Sequence, residues 1–182
     1  MKQLLAFALA ALAALVVSAG SARAGSIGVG VFGGTSVPVA QADQDKGTLF
    51  GVRAPVKLIP LFTVEPFYSS SALGDKTIDI APGVSVTREG SKVTSYGLNA
   101  MLTLGGPVSF YPYVGVGQAK FKRTSQDESF TSYHMGLGLG LSPIPKFSLD
   151  LRGELQAAVD GDVSRKMVNI SLGASYSLFS MP

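Results

Sequence analysis

"FSLDLRGEL", residues 147–155, places Leu149, Leu151 and Leu155 on one parity and Asp150, Arg152 and Glu154 on the other. In an extended chain successive side chains point to opposite faces. The stretch then makes one oily face and one charged face. A helix would instead set Asp150 and Glu154 four apart on one side. The choice turns on whether the alternation recurs.

It recurs seven more times. Residues 26–34 put Ile27, Val29 and Val31 against Gly28 and Gly30. Residues 49–58 put Phe50, Val52, Ala54, Val56 and Leu58 against Gly51, Arg53 and Lys57. Residues 61–68 put Phe62, Val64 and Tyr68 against Thr63 and Glu65. The same pattern runs through 95–104, 110–119, 133–141 and 168–178. Period-2 segments of about ten residues are strands. A helix over 133–141 would hold Gly136, Gly138 and Gly140 at a cost of ~1 kcal/mol each. The reading is therefore all-β, with eight antiparallel strands.

The links between segments alternate in length. Residues 35–47, 69–93, 122–131 and 159–166 are long or medium and polar, whereas 59–61, 105–107 and 142–145 are tight. An up-and-down meander sends these two sets to opposite ends, the loop asymmetry of an outer-membrane barrel. Residues 77–87, "TIDIAPGVSVT", alternate within the second long link and predict a hairpin running past the membrane.

Residues 1–24 stand apart. Lys2 precedes 14 apolar residues, Leu4 to Val17, and "SAGSARA" closes on a small-x-small box at Ala22 and Ala24. This is the layout of a secretory signal peptide. Cleavage is expected after Ala24, leaving one domain, residues 25–182. Without Lys2 and Arg23 that domain has 13 basic and 12 acidic residues, so its net charge is only about +1 and no nucleic-acid partner is indicated. Cysteine is absent, so the exported chain is stable without disulfides.

With these features the chain resembles the small OmpA/OmpX-type outer-membrane barrels. The resemblance rests on the signal peptide, the eight strands, "PYVGVG" (Pro112 to Gly117) and the last strand. There Ser171, Gly173, Tyr176 and Leu178 are similar to the terminal signal read by the barrel assembly machinery. It implies an eight-stranded transmembrane β-barrel in the bacterial outer membrane, in contact with lipid and lipopolysaccharide. It implies a monomer with no cofactor.

In such a barrel the apolar faces meet lipid and the opposite faces line the lumen. The lumen charges are Arg53, Lys57 and Arg152 against Glu65, Asp150 and Glu154. An eight-stranded interior is just wide enough for side chains to fill, so these charges are expected to pair. A turn at 59–61 places Glu65 opposite Pro55 with Arg53 and Lys57 at the diagonals. A soluble sandwich would reverse the faces, and periodicity alone fits both. Phe50, Tyr68, Tyr96 and Tyr133 near the long links, with Phe62, Phe110, Phe147 and Tyr176 near the tight ones, predict two aromatic girdles.

Little chemistry is visible. One histidine, His134, disfavours a zinc site. Ser132 and His134 share a face, the minimum for a nucleophile and its base. "DGD" at 160–162 is too poor in carboxylates for a calcium loop. Lys120, Lys122 and Arg123 form a basic cluster suited to lipopolysaccharide phosphates or to loop solubility. "GVGVFGG" lacks the helix a dinucleotide loop needs. The expected function is non-enzymatic: envelope integrity or surface interaction. A lipid A-modifying barrel enzyme and a soluble periplasmic barrel for a small apolar ligand are the alternatives.

Overall fold

A computed structural model describes residues 25–39, 44–81, 84–123, 126–161 and 163–180. The expected signal peptide, part of the first long link and Asp162 of "DGD" lie outside them. The elements are β1 (Ser26–Pro38), β2 (Asp45–Arg53), β3 (Val56–Ile59), β4 (Phe62–Gly74), β5 (Lys76–Ala81) and β6 (Val84–Arg88). They continue with β7 (Lys92–Leu102), β8 (Leu104–Gly105), β9 (Val108–Arg123), β10 (Gln126–Ile144), β11 (Phe147–Asp160) and β12 (Val163–Ser180).

Pairing is antiparallel and runs β1, β2, β4, β7, β9, β10, β11, β12, then back to β1. Two of these staves are broken. Pro55 cannot donate to the ladder, so β3 resumes β2 after a gap at Ala54 and Pro55. The Ala54 amide donates to the Pro66 carbonyl and holds the break closed. Likewise β8 resumes β7 past Thr103, whose amide donates to the Leu61 carbonyl. β5 and β6 form a separate two-stranded hairpin, the one predicted inside the second long link.

The faces sort as a barrel rather than a sandwich. Arg53 is 3% exposed and Glu65 1%, while Val31, Val114 and Leu172 on the opposite parity are each at least 60% exposed. The oily face points outward and the charged face inward. Inside, Leu73, Val93, Ala119, Phe121, Phe130, Ala158 and Met167 form one apolar cluster toward the long-link end. Met101, Tyr111 and Tyr113 form a second near the tight turns.

All four long links are shorter than expected: β1 runs on to Pro38 and β2 begins at Asp45, which trims 35–47 at both ends. β9 runs on to Arg123 and β10 begins at Gln126, so most of 122–131 is strand. Residues 159–166 reduce similarly, since β11 ends at Asp160 and β12 starts at Val163. Gly161 makes that turn at φ 54°, a conformation glycine adopts freely. Of 69–93, β4 takes the part to Gly74 and β7 the part from Lys92. In these extensions the outward side chains turn polar while Phe121 and Phe130 pack inward, so the apolar-outward alternation inverts and the segments read as loop.

Candidate functional site

The chemistry-bearing side chains converge on the middle of the lumen. Inward parity on β2, β4 and β11 brings Arg53, Glu65, Asp150, Arg152 and Glu154 there from staves far apart in sequence. Arg53 Nη1 donates to Asp150 Oδ1 at 3.1 Å, and Nη2 donates to Asp150 Oδ2. Arg53 Nε lies 3.3 Å from Ser175 Oγ and 3.8 Å from Glu65 Oε2. Arg152 grips Glu65 through both terminal guanidinium nitrogens, Nη1 and Nη2, at 2.6 and 2.9 Å. Its Nε donates to Asp150 Oδ1 at 3.1 Å and to the Tyr111 hydroxyl at 3.0 Å. The Arg152 guanidinium also lies over the rings of Tyr111 and Tyr113. Two bidentate guanidinium–carboxylate pairs, linked through Asp150, thus bridge the lumen. This is the planar fork geometry that favours arginine over lysine.

Lys57 does not join them. The break at Pro55 separates β3 from β2, and both Glu65 oxygens already face Arg152. Glu65 does sit within reach of Arg53 as the register predicts, but its main partner is Arg152, 87 residues away. Lys57 instead lines a polar vestibule of about 450 Å³ at the tight-turn end, with Thr63, Thr103 and Ser148. It makes no ion pair with the described residues.

Above this layer stands Glu154. It accepts from Asn169 Nδ2 at 2.9 Å and from the Tyr113 hydroxyl at 3.2 Å. His134 Nδ1 is 3.2 Å from Glu154 Oε1, without hydrogen-bond alignment. His134 Nε2 lies 3.0 Å from Ser132 Oγ. Serine, histidine and carboxylate are therefore in the order of a hydrolytic triad. Ser132 is wholly buried and His134 only 4% exposed, with the Phe67 ring edge-on to the imidazole at 5.0 Å. The nearby cavity, lined by Phe67, Tyr113, Glu154 and Asn169, has about 30 Å³, room for a water or two and for no acyl chain. Hydrogen-bond donors aimed at a substrate carbonyl oxygen have no place to act here.

Nearer the long links the lumen turns apolar, which the expectation of a polar and ionic interior missed. Phe121 and Phe130 meet edge-on at 5.2 Å. The Arg165 guanidinium covers both rings, at 4.7 and 5.3 Å, and donates to Glu128 Oε2 at 2.7 Å. The signal was present: Phe121, Phe130 and Arg165 continue the inward parity of their strands.

The terminal-strand residues split by face. Ser171 is buried, and Gly173 lies against Arg53 and Asp150, where a Cβ would collide with the guanidinium. Tyr176 and Leu178 face outward. The girdle aromatics also face outward. Tyr68 opposes Tyr96 directly, and Phe147 opposes Tyr176, which levels each row. Among the described residues no group of three or more His, Cys, Asp or Glu side chains is placed to hold a metal ion.

The profile of the outer membrane protein beta-barrel domain family matches residues 4–177. Among solved structures, Neisserial surface protein A is similar at 16% identity and a TM-score of 0.60, over 84% of this chain and 97% of that one. The N-terminal β-barrel domain of Pseudomonas aeruginosa OprF gives 16% and 0.52, over 84% and 99%. The attachment invasion locus protein Ail of Yersinia pestis, in complex with the heparin analogue sucrose octasulfate, gives 20% and 0.52, over 86% and 99%. At these identities the likeness is one of fold. No curated protein sequence matches.

Proposed function

The chain belongs to the outer membrane protein β-barrel domain family, and from that premise we propose a non-enzymatic barrel that spans the bacterial outer membrane and serves envelope integrity or surface interaction. Residues 1–24 are its cleaved signal peptide and residues 25–182 its barrel. The observation that carries this reading is the sorting of faces: buried, mutually paired charges inside, and a continuous exposed apolar surface outside. Soluble proteins rarely expose contiguous apolar patches beyond a few hundred Å². A lipid belt relieves that exposure at no cost, and the filled lumen leaves no route for solutes. The barrel works as a monomer without a cofactor. Ser171, Gly173, Tyr176 and Leu178 direct its insertion by the barrel assembly machinery.

The test is membrane fractionation with gel migration before and after boiling. The protein is expected in the outer-membrane fraction, with a compact unboiled form. Recovery in the detergent-free periplasmic fraction refutes the proposal. One observation favours a second reading, lipid A hydrolysis: the Ser132–His134–Glu154 order. Mass spectra of lipid A from cells with and without the gene decide it. Identical spectra support the non-enzymatic barrel, and loss of an acyl chain only when the gene is present supports the enzyme.

A further inference from the structure

Lys92 on β7 and Lys122 on β9 are directly cross-strand partners, and Lys120 opposes Thr94 one step along the same outward face. All three are exposed. Like charges placed directly opposite destabilise a sheet. Among the described residues a single ion pair relieves them, Lys122 with Asp127 at 3.4 Å, and both of its members are more than half exposed. The pairing is therefore screened and weak, and the patch keeps an excess of two positive charges. A sheet position that costs stability in the free protein has its natural compensation in an anion from outside.

The neighbours of the patch say what carries that anion. Lys120 Nζ lies over the Tyr96 ring at 5.6 Å, and Tyr96 donates to Gln118 Oε1 at 2.6 Å. The lysines thus stand just beyond the girdle aromatics Tyr96 and Tyr133. Level with Tyr133 stands Val116, and past it on the same staves come Val114 and Met135, each of the three more than half exposed. From the hairpin end downward the surface reads cation, aromatic, aliphatic. This matches phosphate, interface and acyl chain of a lipid standing beside the barrel.

We propose that the β7–β9–β10 face is a binding site for an outer-leaflet lipid whose headgroup carries two phosphates, held by Lys92, Lys120 and Lys122 with its acyl chains along Val116, Val114 and Met135. The site rests on the membrane-spanning reading above. It differs from general contact with lipid in being one face of the barrel, with a defined charge.

The experiment uses the full chain in detergent, with native mass spectrometry following retention of bis-phosphorylated lipid A, monophosphorylated lipid A and inorganic phosphate. The native protein is expected to retain the bis-phosphorylated lipid best. Replacing all three lysines with glutamine should weaken retention roughly tenfold or more. Asp127→Asn, which raises the patch charge, should strengthen it. The compact unboiled gel form checks that each variant is folded. Equal retention by native and triple variants overturns the proposal, and so does displacement of the lipid by inorganic phosphate alone, which marks a free-anion site. Failure of the native protein to enter phosphatidylcholine vesicles overturns the membrane reading and this site with it. Insertion with unaltered lipid selectivity in the variants overturns the site only.

Discussion

Replacing Glu65 with alanine removes the carboxylate that Arg152 holds with two nitrogens at 2.6 and 2.9 Å and that lies 3.8 Å from Arg53. Asp150 is then the nearest acid to both guanidiniums. Glu65 is 1% exposed, so water does not readily replace it. Breaking a buried pair by removing one partner costs roughly 3–5 kcal/mol, because a desolvated charge is left behind. With a urea slope of about 2 kcal/mol per molar, the midpoint should fall by about 2 M. The chain has no tryptophan, so far-UV circular dichroism in detergent micelles or lipid vesicles is the suitable probe. Glu65→Gln keeps one acceptor and the side-chain volume, so it should fall between native and alanine. Asp127→Asn breaks a pair whose members are 60% and 69% exposed, and should change stability by less than about 1 kcal/mol. A Glu65→Ala midpoint no lower than that of Asp127→Asn would refute the packed ionic lumen.

Epitope tags test the topology: one near Asp127 should be labelled on intact cells and one at Pro143 only after permeabilisation. Purified protein in a planar bilayer should give no steady porin-sized openings, because the mid-lumen cavity is about 30 Å³; such openings from a verified monomer would show that the side chains do not close the lumen. Gly138→Ala should destabilise by roughly 1–3 kcal/mol, since its new methyl group meets the Tyr111 ring, which Arg152 holds in place. Gly153→Ala, on the outer face with nothing within 4 Å of its new Cβ, should be close to neutral in the same urea titration.

The recurrence of one alternation in eight segments sufficed to read the staves and their number, and the tight turn at 59–61 sufficed for the register that sets Glu65 beside Arg53. What stayed hidden lay across the lumen. Arg152 meets Glu65, and Arg53 meets Asp150, only after the sheet curls and its strands tilt, and no local pattern encodes that stagger. Lys57 misled for the converse reason. Its parity was right, but a lysine near a carboxylate already held by a fork gains little. The Phe121–Phe130–Arg165 layer was missed because it sits past the apolar belt, where the outward residues Lys120, Lys122 and Ser129 turn polar and the alternation inverts. His134 faces Gln156 across the ladder and reaches Glu154 one step along, a diagonal that strand parity alone does not select.

The pairing of β1 with β12 joins Ser26 to Ser180 and Pro38 to Met167, the widest sequence separation in the sheet. Nothing local can form this seam, and loop-closure entropy opposes it until the intervening staves are in place. Until then β1 and β12 each present a bare row of amides and carbonyls, an invitation to pair with a neighbouring molecule. Arg53, one stave in from the seam on the β2 side, reaches Asp150 on β11 and Ser175 on β12, and so fastens the seam from within. The ionic centre of the lumen is thus also a latch that forms last. A variant lacking Asp150 should accumulate as aggregated, open sheets during refolding more than its equilibrium stability alone would suggest.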